Sequence, residues 1–179
     1  NGIEIKPLIQ QIFENLFTIG IREFCFISGK TKRSLQDHFY PDQQQDIPPS
    51  LSNFYEMIIN SQIAWINQLI PKGFGDAVLE SKSFVNNDVF LVQAGDVVIS
   101  SQIHSSINKL IELSKNDDIE AAFLVQTVTD PERHGIVTTE KDESISLVTK
   151  VVEKPKDPET NIGIMPFYFF RSSIFDALG

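Results

Sequence analysis

Apolar residues recur at Leu8, Ile9, Ile12, Phe13, Leu16, Phe17 and Ile19, a spacing that predicts a helix from Pro7 to Gly20. Pro7 suits a first helical turn, where its missing N–H is not needed, and Gly20 suits a C-terminal cap. The period then changes. Glu23 to Ser28 is short and almost wholly apolar, as expected of a strand in a parallel sheet covered on both faces. A polar helix is expected from about Thr31 to Phe39, then an aperiodic Gln- and Pro-rich loop from Tyr40 to Pro49. A helix over Leu51 to Ile59, a strand over Ile63 to Ile66 and a helix from Gly73 to Glu80 follow. Val89 to Gln93 reads as a third strand, stopped at Ala94-Gly95-Asp96; Ile103 to Leu113 reads as a helix and Ala121 to Val128 as a fourth strand. From Gly135 onward the pattern is of short strands, Gly135 to Thr138, Ser144 to Val152 and Pro166 to Phe170, with a helix at the end of the chain. Such alternation predicts an α/β protein: a Rossmann-like, doubly wound, mostly parallel sheet with an added antiparallel portion. Nothing divides residues 1–179 into two domains, because the Tyr40 to Pro49 segment reads as a loop.

Length and composition narrow the function. A chain of 179 residues, 41% hydrophobic and 22% charged, can bury one substantial core. Its formal net charge of -9 argues against a nucleic-acid or anionic-membrane surface, so a polyanionic ligand has to be met by local positive charge. There is no apolar run of about 18 residues and no basic-then-apolar start. The single cysteine, Cys25, excludes an internal disulfide, and its apolar setting predicts an inert thiol. A cytoplasmic protein is the expectation. The chain starts at Asn1-Gly2 without methionine and stops inside an expected helix, so it reads as an internal piece of a longer protein.

Several groups could carry chemistry. Asp96 follows a strand directly, so its carboxylate is expected at the carboxyl edge of the sheet, as a hard oxygen donor suited to Mg²⁺ or as a turn cap. In Gln68-Leu-Ile-Pro-Lys-Gly-Phe-Gly-Asp-Ala-Val78, Gly73 and Gly75 let backbone approach a flat ligand, and the Gln68 amide can read a base edge; plain turn chemistry would also explain the glycines. In Val148-Thr-Lys-Val-Val-Glu-Lys-Pro-Lys156, a β-branched run ends abruptly because Pro155 has no N–H for a central ladder. Glu153 and Lys154 are left at the strand's carboxyl end, where open α/β sheets present ligand-binding groups, or else form a solvated charge pair. His38, His104 and His134 lack metal-ligand spacing, and no serine lies in a nucleophile elbow.

Taken in order, Lys6-Pro-Leu-Ile-Gln10, Gly20-Ile-Arg-Glu23, Gly29-Lys-Thr-Lys-Arg-Ser-Leu-Gln-Asp-His-Phe39, Pro71-Lys-Gly-Phe-Gly-Asp-Ala-Val78, Ala94-Gly-Asp96, His134-Gly-Ile-Val137 and Glu153-Lys-Pro155 resemble the sugar-1-phosphate nucleotidyltransferases. Within that family the chain looks most like the bacterial and archaeal UTP-glucose-1-phosphate uridylyltransferases. The resemblance implies the nucleotide-diphospho-sugar transferase fold, Mg²⁺ as cofactor, and UTP and a hexose 1-phosphate as partners. It implies that Gln68 and Gly73 hold the base and that Gly95 belongs to the substrate site. Asp96 would bind Mg²⁺ beside the α-phosphate. Gly135 and Glu153 would contact sugar hydroxyls, Lys154 would pair with the sugar phosphate, and Lys6 would lie near the nucleotide phosphates.

The sequence also departs from the family. The Gly-x-Gly-Thr-Arg loop and the later metal-binding aspartate of relatives are absent from these residues. Pro166 stands where relatives usually have glycine near the sugar, and Ala94-Gly-Asp-Val97 lacks a second acidic residue. A glucose-1-phosphate thymidylyltransferase of the same fold and a non-catalytic nucleotidyltransferase-like module therefore stay open. Relatives assemble as dimers or tetramers, so the resemblance implies a homo-oligomer, with the helix bearing Phe175 expected on the surface.

Overall fold

The computed structural model describes residues 6–29, 33–40, 47–97, 104–141 and 145–179. Thr31, Ile103, Ser144 and residues 41–46 of the expected Gln- and Pro-rich loop lie outside them.

Helix α1 (Leu8–Thr18) turns Ile12 and Phe13 inward and ends where the apolar period ends. Gly20, at φ 101°, closes it: the Ile21 N–H donates to the Leu16 carbonyl and the Gly20 N–H to Phe17, the paired bonds of a Schellman cap. Strand β1 (Glu23–Gly29) follows, then α2 (Arg33–Phe39), a 3₁₀ turn at Pro49–Leu51, α3 (Ser52–Ile59) and β2 (Gln62–Gln68). β1 and β2 pair in parallel from Glu23↔Gln62 to Gly29↔Gln68, so their carboxyl ends finish side by side. Next come α4 (Phe74–Glu80), α5 (Lys82–Val85), β3 (Phe90–Gln93), α6 (His104–Leu113) and β4 (Ala121–Thr127). The chain closes with β5 (Gly135–Lys141), β6 (Ser146–Glu153), β7 (Ile162–Phe170) and α7 (Ile174–Leu178). No described helix is long and apolar enough to cross a membrane.

The expected α/β class, with parallel and antiparallel portions, is what the structure has. The antiparallel portion is more than an appendage, because β7 pairs antiparallel with β3, β4 and β5 and so occupies the middle of the second sheet. Its burial alternates, with Phe167 and Phe169 facing the core. Pro166 sits in this central strand although it has no N–H to donate. The ladder shifts there: β7 sets Met165, Pro166 and Phe167 opposite the single residue Leu124 of β4, while the Pro166 carbonyl still accepts from Ala94 N–H at 3.0 Å. A bulge is the place where a sheet tolerates proline, and it re-aims the chain beside it.

Three apolar clusters hold these elements together. Phe13, Phe24, Phe39 and Phe54 join α1, β1, α2 and α3. Ile107, Leu110 and Phe167 seat α6 on the second sheet, with Leu16 and Ile19 of the α1 end against them. Val78, Val85 and Phe175 bind α4, α5 and α7. Of the terminal helix expected on the surface, Asp176 and Ala177 are exposed, while the Phe175 ring is buried and stacks on Phe90 at 5.3 Å, because α7 turns its apolar side onto β3.

Cys25 is half-buried in β1, and burial pushes its pKa up to about 11. The thiolate is therefore scarce at neutral pH. A disulfide reagent should modify folded protein slowly at pH 8, accelerate toward pH 11, and reach the unfolded-protein rate at pH 8 once denaturant is added.

Candidate active site

Gln68 is the last residue of β2, beside Gly29 at the end of β1, and is 7% exposed. Its Nε2 donates to the Asp76 carboxylate in the first turn of α4. Between them the chain reverses through Gly73, at φ 124°, where an L side chain would be strained and where an added Cβ would meet nothing within 4 Å. An open backbone face and an anchored amide thus lie at the parallel strand ends. Beside them is a surface cleft of about 250 Å³ lined by Asn67, Leu69, Ile70, Lys72, Asp76 and Glu80. Gln68 and Gly73 are not among its lining residues, so the cleft adjoins the candidate base-reading groups without containing them.

The second group is built at the end of the β5–β6 ladder, where Gly135 pairs with Glu153. A Cβ on Gly135 would stand 3.2 Å from Glu153 Oε2 and 3.3 Å from Ile164 Cδ1, so any larger residue would crowd both side chains. Glu153 ends β6, and Lys154 turns out of it at φ 45° with its N–H donating to the His134 carbonyl at 3.0 Å. Successive strand residues point to opposite faces. The left-handed turn instead brings Lys154 Nζ within 3.3 Å of Glu153 Oε1, and both side chains remain open to water. His134 is itself fastened, its Nδ1 bonding the Asp130 carbonyl at 3.0 Å.

Tyr168, which sequence reasoning missed, packs beside the Gly73 loop and feels the charge of Glu153. It lies on the face of β7 opposite Phe167 and Phe169, packs on Phe74 at 5.2 Å just after Gly73, and stacks on Phe170 at 5.5 Å. Burial raises its pKa, and the nearby negative charge of Glu153 raises it further, so it stays a neutral phenol past the ordinary range. The available signal was a lone hydroxyl-bearing ring in an otherwise apolar strand.

Asp96 lies in the exposed turn after β3 that also holds Gly95, with Gln93 Nε2 closing the turn on the Val97 carbonyl at 2.9 Å. The Ala94 bond to Pro166 fixes this turn to the bulge of β7, whose Ile164 touches the Gly135 corner. Among the described residues no three His, Cys, Asp or Glu side chains cluster as metal ligands. A lone hard carboxylate nevertheless fits Mg²⁺, which keeps several waters and takes substrate phosphate oxygens as further donors.

Lys6 is held by an ion pair. Its Nζ bonds Glu14 Oε2 at 2.9 Å, and Glu14 Oε1 accepts from the buried Gln10 amide at 2.7 Å. Gln10 Oε1 then faces His38 Nε2 at 2.9 Å, which assigns the proton to Nε2; burial holds the His38 pKa down, in keeping with a neutral ring. Any phosphate contact by Lys6 therefore competes with Glu14.

A family model described as nucleotidyl transferase matches residues 3–179. The UTP–glucose-1-phosphate uridylyltransferase of Staphylococcus epidermidis is 32% identical over 187 residues, covering 97% of this chain and 64% of that protein. The protein of the same name from Streptococcus pneumoniae is 29% identical, covering 97% of this chain and 62% of its own length. The chain thus spans less than two thirds of the curated relatives it matches. The crystal structure of UDP-glucose pyrophosphorylase complexed with UDP-glucose is similar with a TM-score of 0.84, at 24% identity, over 97% of this chain and 67% of that chain. At that identity the likeness speaks for the fold.

Proposed function

The chain belongs to the nucleotidyl transferase family, and from that premise we propose that the protein transfers a uridylyl group from UTP to glucose 1-phosphate, giving UDP-glucose and pyrophosphate. The observation that supports this reading is the corner of Gly135, Glu153 and Lys154, an open carboxylate and ammonium side by side at the end of the β5–β6 ladder. A sugar pocket needs an acceptor for hydroxyls and a cation for phosphate. A base pocket needs an amide edge and open backbone. In this reading Glu153 and Lys154 supply the first set, and Gln68 and Gly73 the second.

In this reading a sugar-phosphate oxygen attacks the α-phosphorus, the P–O bond to the pyrophosphate breaks, and pyrophosphate leaves with the electron pair. Two anions must be brought together, so positioning and local positive charge contribute more than a side-chain nucleophile. Lys154 holds the sugar phosphate against repulsion from the nucleotide, Glu153 accepts from sugar hydroxyls and fixes the ring, and Gln68 with Gly73 orients the base. Bound on Asp96, Mg²⁺ would neutralise charge at the α-phosphate.

The test is pyrophosphate release with UTP or dTTP, glucose 1-phosphate and Mg²⁺. Turnover is expected, faster with UTP. Preference for dTTP would move the reading to a thymidylyltransferase, and binding of UTP without release of pyrophosphate under any of these conditions would leave a binding module.

A further inference from the structure

We propose that Asp76 sets which way the Gln68 amide faces and so selects a base that carries a ring N–H; this rests on Gln68 reading the base. A carboxylate only accepts hydrogen bonds, so the group it faces on Gln68 has to be the amide nitrogen, as observed. Gln68 is nearly buried at the end of β2, and Asp76 is fixed in the first turn of α4, so neither partner is a loose surface chain. One N–H is consumed by Asp76. The amide keeps a carbonyl oxygen and one N–H for a ligand, in a fixed order.

That order matters for pyrimidines. Uracil presents N3–H as a donor beside O4 as an acceptor, so the amide meets it with its carbonyl on N3–H and its N–H on the oxygen. Cytosine presents the reverse, a bare N3 beside an amino group. Meeting cytosine would require the amide to turn over, which sets Gln68 Oε1 against the Asp76 carboxylate, acceptor facing acceptor, and forfeits a charge-assisted bond. Asp76 is thereby a positioning residue for specificity, and it touches neither the sugar nor the reacting phosphates in this scheme.

Kd values for UTP and CTP, measured by calorimetry on the wild type, Gln68→Ala, Asp76→Asn and Asp76→Ala, test the proposal. An asparagine at position 76 has the same shape but offers either an oxygen or an N–H, so the amide turns freely. The UTP-over-CTP preference should fall on the order of tenfold in Asp76→Asn and Asp76→Ala, with Tm close to wild type in the near-isosteric Asn variant. Gln68→Ala should lose the preference altogether. If Gln68→Ala loses it while both Asp76 variants keep it, Asp76 has no such role. If Gln68→Ala keeps it, the base reading itself is wrong and the Asp76 proposal goes with it.

Discussion

Replacing Lys154 by glycine should lower kcat/KM for glucose 1-phosphate by about 100- to 1,000-fold while raising the stability of the protein. The two effects come from different properties of one residue. Lys154 sits at φ 45°, a conformation in which a residue with a Cβ is strained by roughly 1 kcal/mol. Its side chain is 63% exposed, and its ammonium lies against a carboxylate that is 72% exposed, an ion pair worth little to folding. Glycine relieves the strain and loses almost nothing of the fold. What it removes is the ammonium that the proposed scheme sets against the sugar phosphate. Lys154→Ala should match the kinetic loss without the gain in stability, and Lys154→Arg should recover part of the rate. Steady-state kinetics together with urea unfolding of all three variants would check this. A glycine variant that retains activity would mean that the sugar phosphate is held elsewhere.

The strain at Lys154 shows why some of this site was legible in the sequence and some was not. Helices α1, α4 and α6 and strand β1 were readable because their periods are local properties of consecutive residues, and Gly20 and Gly73 marked their ends. Pro155 correctly announced where β6 stops. Spacing alone left Glu153 and Lys154 as a charge pair on a turn, and the family resemblance supplied a role for them. Most of the hidden features depend on pairing between distant segments. Tyr168 acquires its position only because β7 inserts between β3 and β4, a pairing no local pattern records. Pro166 read as the first residue of a strand, whereas β7 begins at Ile162 and carries Pro166 inside it at the bulge opposite Leu124. The terminal helix read as a surface element, and that Phe175 anchors it was hidden because its partner, Phe90, lies far back in the chain. Lys6 was assigned by likeness, but its Glu14 partner is fixed by how the chain enters α1.

Replacing Phe13 by alanine should cost about 3–5 kcal/mol of folding stability, the largest loss expected of any single truncation in the first apolar cluster. The ring is fully buried, with Phe24 at 4.6 Å, Phe39 at 5.3 Å and Phe54 at 5.8 Å between ring centroids. Two of those contacts are edge-to-face, the geometry that aromatic quadrupoles favour, so alanine forfeits more than area. The site also cannot collapse easily: its walls come from one strand and two helices, each held by other contacts, so much of the cavity remains open. Folded domains have only about 5–15 kcal/mol in hand, so the variant should lie near the limit of folding at 37 °C. Phe13→Leu, which refills part of the space, should lose clearly less. Because this cluster underlies β1 and β2, whose ends carry Gly29 and Gln68, loosening it should weaken UTP binding before it affects the Gly135–Glu153 corner. Urea unfolding with UTP titration of the leucine variant below its Tm would measure both. A cost below about 1 kcal/mol for Phe13→Ala would mean that α1 is not docked through this ring.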